Sequence, residues 1–286
     1  MASDRWHGNL DLAYASDRGQ TRLVRHQARS PLKMQRSFYP EGGAICHNAI
    51  LHTAGGIVGG DRLSIGANLR SGSRALLTTV AASKVYGSRG RSKTVPEGIQ
   101  AQQELQFDLD ARAHLEWLPL ETIVFDGAIY RQDVRVNLAP EATFLGWEMV
   151  RLGRTARKER FLQGEWRSHL EIWREGTPLW IDRQGICGGA TSLDSPHGLA
   201  GNPVIASLVW VGRAIAPETI DRVRTLWKSR SRQGEAGVTR LMDGLLCRYR
   251  GRSTQEARRW FIEVWTLLRQ AHWGERVSPS RLWFAN

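Results

Sequence analysis

Cysteine is scarce. The chain has three in 286 residues: Cys46, Cys187 and Cys247, far apart and without a CxxC pair. Three thiols cannot all pair, so a disulfide framework is not what holds the fold, and a reducing cytoplasm is the expected setting. No apolar run approaches the roughly 18 residues that a membrane-spanning helix needs, and MASDRWHGNL lacks the basic-then-apolar layout of a secretory signal. The eight histidines form no HxH, HExxH or His-rich tract, so a tight, zinc-like site is not written locally. There is no GxSxG and no Cys–His arrangement that would mark a nucleophile. Strands do not alternate with helical stretches, which disfavours a doubly wound fold. Lysine is also nearly missing: of 40 basic residues 35 are arginine, the planar, bidentate cation.

What is present is an ordinary globular composition, 41% apolar and 24% charged, which excludes a disordered chain. The length predicts one unit, 1–286, with a β body over 1–214 and a basic helical portion over 215–286 that is not a separate domain. The charge is uneven. From Ile215 onward there are 14 basic and 7 acidic residues, net +7; the first 214 residues hold 26 and 21, net +5. Nucleic acid, an anionic membrane surface or an acidic protein face could each answer such a field.

The β body is legible from period-two alternation. From Leu105 to Trp117 every odd position is apolar and every even one polar, which predicts one bent strand or two joined near Asp110. Val134, Val136 and Leu138 repeat the pattern, as do Leu170 and Ile172. Turn signals at Gly42-Gly43, Ser71-Gly72, Asp126-Gly127 and Glu175-Gly176 predict a mainly β fold of stacked antiparallel sheets. About two α-helices follow in the C-terminal quarter. Pro217 opens the first, with Ile220, Val223, Leu226 and Trp227 on one face. Ser253 and Glu256 have capping-box spacing ahead of the second, whose stripe is Ala257, Trp260, Phe261, Val264, Trp265 and Leu268. A polar linker, 229–237, separates them.

Four segments could carry function. His52–Leu63 has four glycines in six residues, Gly55, Gly56, Gly59 and Gly60, then Asp61. Their spacing fits neither GxGxxG nor a Walker A loop, and an aspartate there would repel phosphate. The segment is either a corner between strands or a device that aims the Asp61 carboxylate into a cavity. Leu76–Tyr86, with Thr78, Thr79, Ser83, Lys84 and Tyr86, is either a tight sheet interface or the lining of a narrow channel. Glu116 and Glu121 flank Pro119 with a glycosidase-like pairing, against the plainer reading of solvated strand-end carboxylates. Glu148, beside Trp147 in an apolar strand, is a partly buried carboxylate in need of a partner.

Taken in order, HTAGGIVGGDRL, LLTTVAASKVYGS, LEWLPLETIVFDGA and LGWEMVRLGRTARKERF resemble the signature segments of the urease accessory protein D family. The resemblance covers roughly residues 10–215. It implies stacked β-sheets with helix-like winding and two α-helices. It also implies a non-enzymatic scaffold that binds accessory protein F, reaches the GTPase G through it, docks on urease apoprotein and passes nickel toward the urease active site through an internal tunnel. No tightly bound cofactor is expected, only transient nickel, and neither nucleic acid nor membrane is an expected partner. Oxygen ligands suit passage because they release nickel where His and Cys would keep it. The nickel-path candidates are Asp61, Thr78, Thr79, Ser83, Glu121 and Glu148, with Asp61 foremost. Gly55, Gly56, Gly59, Gly60, Lys84 and Tyr86 are the structural signature. Trp273, Trp283 and Phe284 are the candidates for an exposed partner interface. The competing expectations are a β-rich carbohydrate-active enzyme using Glu116, Glu121 or Glu148 with stacking tryptophans, and a nucleic-acid-binding protein supported by charge alone.

Overall fold

The computed structural model describes residues 6–274 and 277–284. In chain order the strands are β1 (His7–Asp17), β2 (Gln20–Arg29), β3 (Leu32–Met34), β4 (Cys46–His52), β5 (Arg62–Leu69), β6 (Arg74–Thr79), β7 (Ser83–Val85), β8 (Ala101–Leu109), β9 (His114–Trp117), β10 (Thr122–Val124), β11 (Ile129–Leu138), β12 (Thr143–Leu152), β13 (Glu165–Arg174), β14 (Thr177–Cys187), β15 (Val204–Val211), β16 (Glu235–Leu241) and β17 (Gly244–Gly251). Helix α1 (Pro217–Lys228) lies between β15 and β16, and α2 (Thr254–Trp273) follows β17.

Two sheets face each other. The first runs β14-β13-β11-β8-β5-β1-β2; the second runs β16-β17-β15-β12-β9-β6-β4-β3, with β7 and β10 attached beside β12. From β4 to β13 the chain crosses repeatedly between the sheets, so successive strands of one sheet come to lie parallel. This is the helix-like winding expected above, and it corrects the expected antiparallel pairing. Antiparallel neighbours are confined to the flanks: β1–β2, β13–β14, β3–β4 and the β12–β15–β17–β16 end. Alternation and turn residues report that strands exist, not which way their neighbours run. Parallel pairing here needs no crossover helix, because the opposite sheet is the crossover.

The Leu105–Trp117 alternation resolves into two strands in different sheets. β8 ends at Leu109, the chain turns at Asp110–Ala113, and β9 begins at His114. One apolar core fills the space between the sheets, including Leu105, Phe107, Phe144, Val136 and Ile172. A second lies between the second sheet and the helices, including Trp147, Trp210, Trp260, Phe261 and Trp265. β12 serves both cores by strict alternation: Phe144, Val150 and Leu152 face the first sheet, while Leu145, Trp147 and Met149 face the helices.

α2 starts where the sequence marks it. Ser253 Oγ accepts from Glu256 N at 3.1 Å, but the Glu256 carboxylate accepts from Gln233 N and Gly234 N instead of closing a full capping box. Its apolar stripe is buried, at about 1.5–3 kcal/mol per large side chain. The expected linker is shorter than 229–237, because Glu235 already begins the β16–β17 hairpin, whose β17 is an inner strand of the second sheet.

Candidate functional site

The winding strands together with their antiparallel flanks bring polar side chains into register in an otherwise apolar interior. Across the first sheet Gln103, Gln132, Ser168 and Gln184 pair in sequence. Across the second, Glu148 pairs with Ser207, and Ser207 with Arg248. Each is on the inward phase of its strand, two residues before or after a core residue such as Leu105, Val134, Leu170, Val150, Val209 or Leu246. The two rows face each other.

Hydrogen bonds join them. Tyr130 Oη donates to Gln103 Oε1 at 2.8 Å and to Gln132 Oε1 at 3.4 Å. Gln132 Nε2 donates to Glu148 Oε1 at 2.8 Å, and Ser168 Oγ to Glu148 Oε2 at 2.8 Å. Arg248 reaches Ser207 Oγ and Asp182 Oδ1, each at 2.7 Å, and Gln184 Nε2 donates to Asp182 Oδ2 at 3.2 Å. A cavity of about 40 Å³ opens at the centre, lined by Gln132, Glu148, Ser168, Asp182 and Ser207 among others, enough for a few waters or a partly dehydrated ion. Burial pushes the Glu148 carboxyl up to about 7, reinforced by the nearby Asp182 charge and opposed by Ser168, Arg248 and Gln132. Burial, Glu148 and Asp133 raise Tyr130 well above the usual phenol range, so it serves as a donor.

At the β8 end the row meets a larger cavity, about 190 Å³, lined by Gln103 together with His52, Thr79, Ser83, Lys84 and the Gly55-Gly56 corner. The glycines are explained by the backbone. Gly60 has φ +97°, which L side chains rarely adopt. At Gly56 an added Cβ would lie 2.4 Å from Tyr86 Cε2 and 2.9 Å from Lys84 O. Tyr86 itself packs edge-on against Phe125 at 5.0 Å.

The path candidates separate. Glu148 lies at the centre of the row; Thr79 and Ser83 line the cavity at its β8 end. Asp61 does something different: Val58 N donates to its Oδ2 at 2.9 Å and its own N donates to Val58 O at 3.1 Å. The carboxylate thus closes its own turn instead of projecting into a cavity. Thr78 and Glu121 face the helical layer. Thr78 Oγ1 donates to Leu118 O at 2.6 Å and accepts from Trp283 Nε1 at 2.9 Å. Glu121 is paired with Arg258 at 2.5 Å and accepts from Thr254. Glu116 is fully buried; burial would raise its pKa, but Arg269, His114 and Trp265 Nε1 outweigh burial and hold it at about 2. The glycosidase-like pair is therefore split between two separate arginine partners.

Of the interface candidates, Phe284 is exposed at 59%, Trp273 is half-buried against His114 and Arg74, and Trp283 is buried at 2%. Trp283 is thus no exposed anchor: its ring fills a pocket formed by Trp147, Trp265 and Thr78. Among the described residues no cluster of three or more His, Cys, Asp or Glu is arranged to hold a metal ion, and no helix is long and apolar enough to cross a membrane.

The pattern that defines the UreD urease accessory proteins matches residues 7–284. The chain belongs to the UreD family. A urease accessory protein UreD of Trichormus variabilis is 55% identical over 278 residues, 97% of this chain and 96% of that protein. One from Nostoc punctiforme is 53% identical over 281 residues, 98% and 97% of the two chains. Another, from Microcystis aeruginosa, is 46% identical over 281 residues, 98% and 99% of the two. Membership in the UreD family assigns the chain a role in urease maturation. It also gives the polar row a context: two carboxylates with hydroxyl and amide oxygens, and no His or Cys among the row's members, suit a hard or borderline cation held loosely, with the Arg248 guanidinium as the opposing charge.

The sequence reading missed Gln103, Gln132, Ser168, Asp182, Gln184, Ser207 and Arg248. A signal for three of them was present. Gln103, Gln132 and Ser168 each stand two residues before the first apolar member of a recognised alternation, Leu105, Val134 and Leu170, and so continue the inward phase with a polar side chain.

Proposed function

We propose that this chain is a non-enzymatic scaffold of urease maturation that conducts nickel ions between its two sheets. The ion enters from the cavity beside Ser83 and Lys84, passes Gln103, Gln132 and Glu148, and leaves toward Asp182 and Ser207. The observation that carries this reading is the register-matched polar row inside an apolar core. Burying amides, hydroxyls and a carboxyl costs stability that their mutual hydrogen bonds offset only in part, whereas aliphatic side chains would fill the same space without that cost. Along the row the ion exchanges waters for amide, hydroxyl and carboxylate oxygens. A carboxyl that titrates near neutrality binds it without a deep well.

The partners in this reading are accessory protein F, the GTPase G acting through it, and the urease apoprotein that accepts the metal. Exposed Phe284 and the basic C-terminal surface are available to them. The setting is the cytoplasm, and the cargo is transient nickel with no resident cofactor. The test is Glu148→Gln and Glu148→Ala in cells carrying urease and its accessory proteins. Both variants are expected to assemble normally in pull-down and to lower nickel-dependent urease activation at least about tenfold, the effect of roughly 1.4 kcal/mol on a transfer barrier. Full activation by both would remove the seam from the nickel route.

A further inference from the structure

The passage just described ends at a charge that should oppose it. Arg248 is on the inward phase of β17: Leu246 belongs to the inter-sheet core, while Cys247 and Tyr249 face the helices. Its guanidinium spans the gap between the sheets, donating to Ser207 Oγ on β15 and to Asp182 Oδ1 on β14, both at 2.7 Å. The Arg248 side chain is 36% exposed and Asp182 only 11%, so the cation stands at the water boundary with the carboxylate behind it. Asp182 and Glu148 line the same small cavity. The guanidinium is bonded to Asp182, and its charge also acts on Glu148 across the cavity.

Resting on the nickel-passage reading, we propose that Arg248 is a tethered counter-ion that gates this end of the seam. It occupies the position on Asp182 and Ser207 that a departing divalent cation must use. An ion at Glu148 finds Asp182 already satisfied by Arg248 and Gln184. It takes Asp182 by displacing the guanidinium outward, a motion that the flexible stem and the half-wet head allow. When the ion leaves, the guanidinium returns and restores the pairing, so no cation rests between two free carboxylates. Arg248 makes the end of the seam a place of exchange; without it, Glu148, Asp182, Gln184 and Ser207 form an oxygen-lined trap.

The experiment uses the full-length chain, Ni²⁺ alone as probe, and a weak chelator as competitor. Arg248→Gln is expected to bind nickel at least about tenfold more tightly than the unmodified chain, because a unit positive charge about 3 Å from a carboxylate is gone. Arg248→Lys keeps a tethered cation and is expected to bind as the unmodified chain does. Arg248→Gln combined with Asp182→Asn is expected to lose the gain. In cells at limiting nickel, Arg248→Gln is expected to retain the metal and activate urease at least about tenfold less. Arg248→Met, of similar shape and also neutral, replaces the glutamine variant if that one does not fold.

Neutral variants that bind nickel no more tightly than the unmodified chain overturn the gate. So does a gain that survives Asp182→Asn. Measuring Glu148→Gln alongside separates the two ideas. If it abolishes activation while the Arg248 variants gain no nickel, the passage stands and the gate falls; if it activates fully, the passage itself falls.

Discussion

Glu148 carries its charge at a cost. Its carboxyl is raised from 4.5 to about 7 in the folded chain, chiefly by burial. The folded state therefore holds a proton that the unfolded state releases between those values. Stability attributable to this group is complete below about 4.5 and is lost as the pH rises through about 7. Glu148→Gln removes the titration. The variant is expected to be more stable than the unmodified chain at pH 8, by at most about 3 kcal/mol, with the gain shrinking toward pH 5. Urea unfolding at the two pH values measures it, and an equal difference at both would contradict the assignment. At this scale the sequence was informative about one residue and silent about its partners. A carboxylate beside Trp147 in an apolar strand announces a need for hydrogen bonds. That Gln132 and Ser168 supply them depends on pairings between residues 16 and 20 positions away in the chain, which no local pattern encodes. Asp61 shows the opposite: four glycines suggested a displayed carboxylate, whereas a four-residue turn from Val58 to Asp61 accounts for it.

Helices and loops were read most reliably where the signal is local. Pro217, the Ser253 cap and the α2 stripe fixed both helices. The β16–β17 hairpin is hidden in the sequence because β16 is largely exposed and carries Gly237 and Arg240, which leave its apolar pattern too short to mark a strand. In the C-terminal segment after α2, composition cannot separate an exposed aromatic, Phe284, from a docked one, Trp283. In the fold Arg258 Nη1 donates to Trp283 O at 2.9 Å, and the indole fills the pocket between the second sheet and α2. Two adjacent aromatics should therefore respond differently. Trp283→Ala is expected to cost about 3–5 kcal/mol through its cavity and the lost hydrogen bond to the Thr78 hydroxyl. Phe284→Ala is expected to stay within about 0.5 kcal/mol while weakening capture of accessory protein F. Chemical denaturation and pull-down of the two variants check this; equal stabilities would place Trp283 outside the core in solution.

For the molecule as a whole, the β class is legible in the alternation and the winding only through the family resemblance, while strand direction is legible in neither. Alternation is the same in parallel and antiparallel sheets, and parallel order arises here from the chain crossing to the facing sheet and back. That winding stacks Gln103, Gln132 and Ser168 into one row, and the antiparallel flanks extend it to Gln184 and, in the facing sheet, from Glu148 to Ser207 and Arg248. The central claim is that nickel crosses this row without entering bulk water, and transfer in the presence of a strong soluble chelator tests it most directly. A nickel-loaded assembly of this chain, its accessory partners and urease apoprotein is expected to activate urease despite excess chelator, and to lose that protection when Glu148 is replaced by leucine. Chelator-sensitive activation in the unmodified assembly, equal to that from free nickel, would contradict the account.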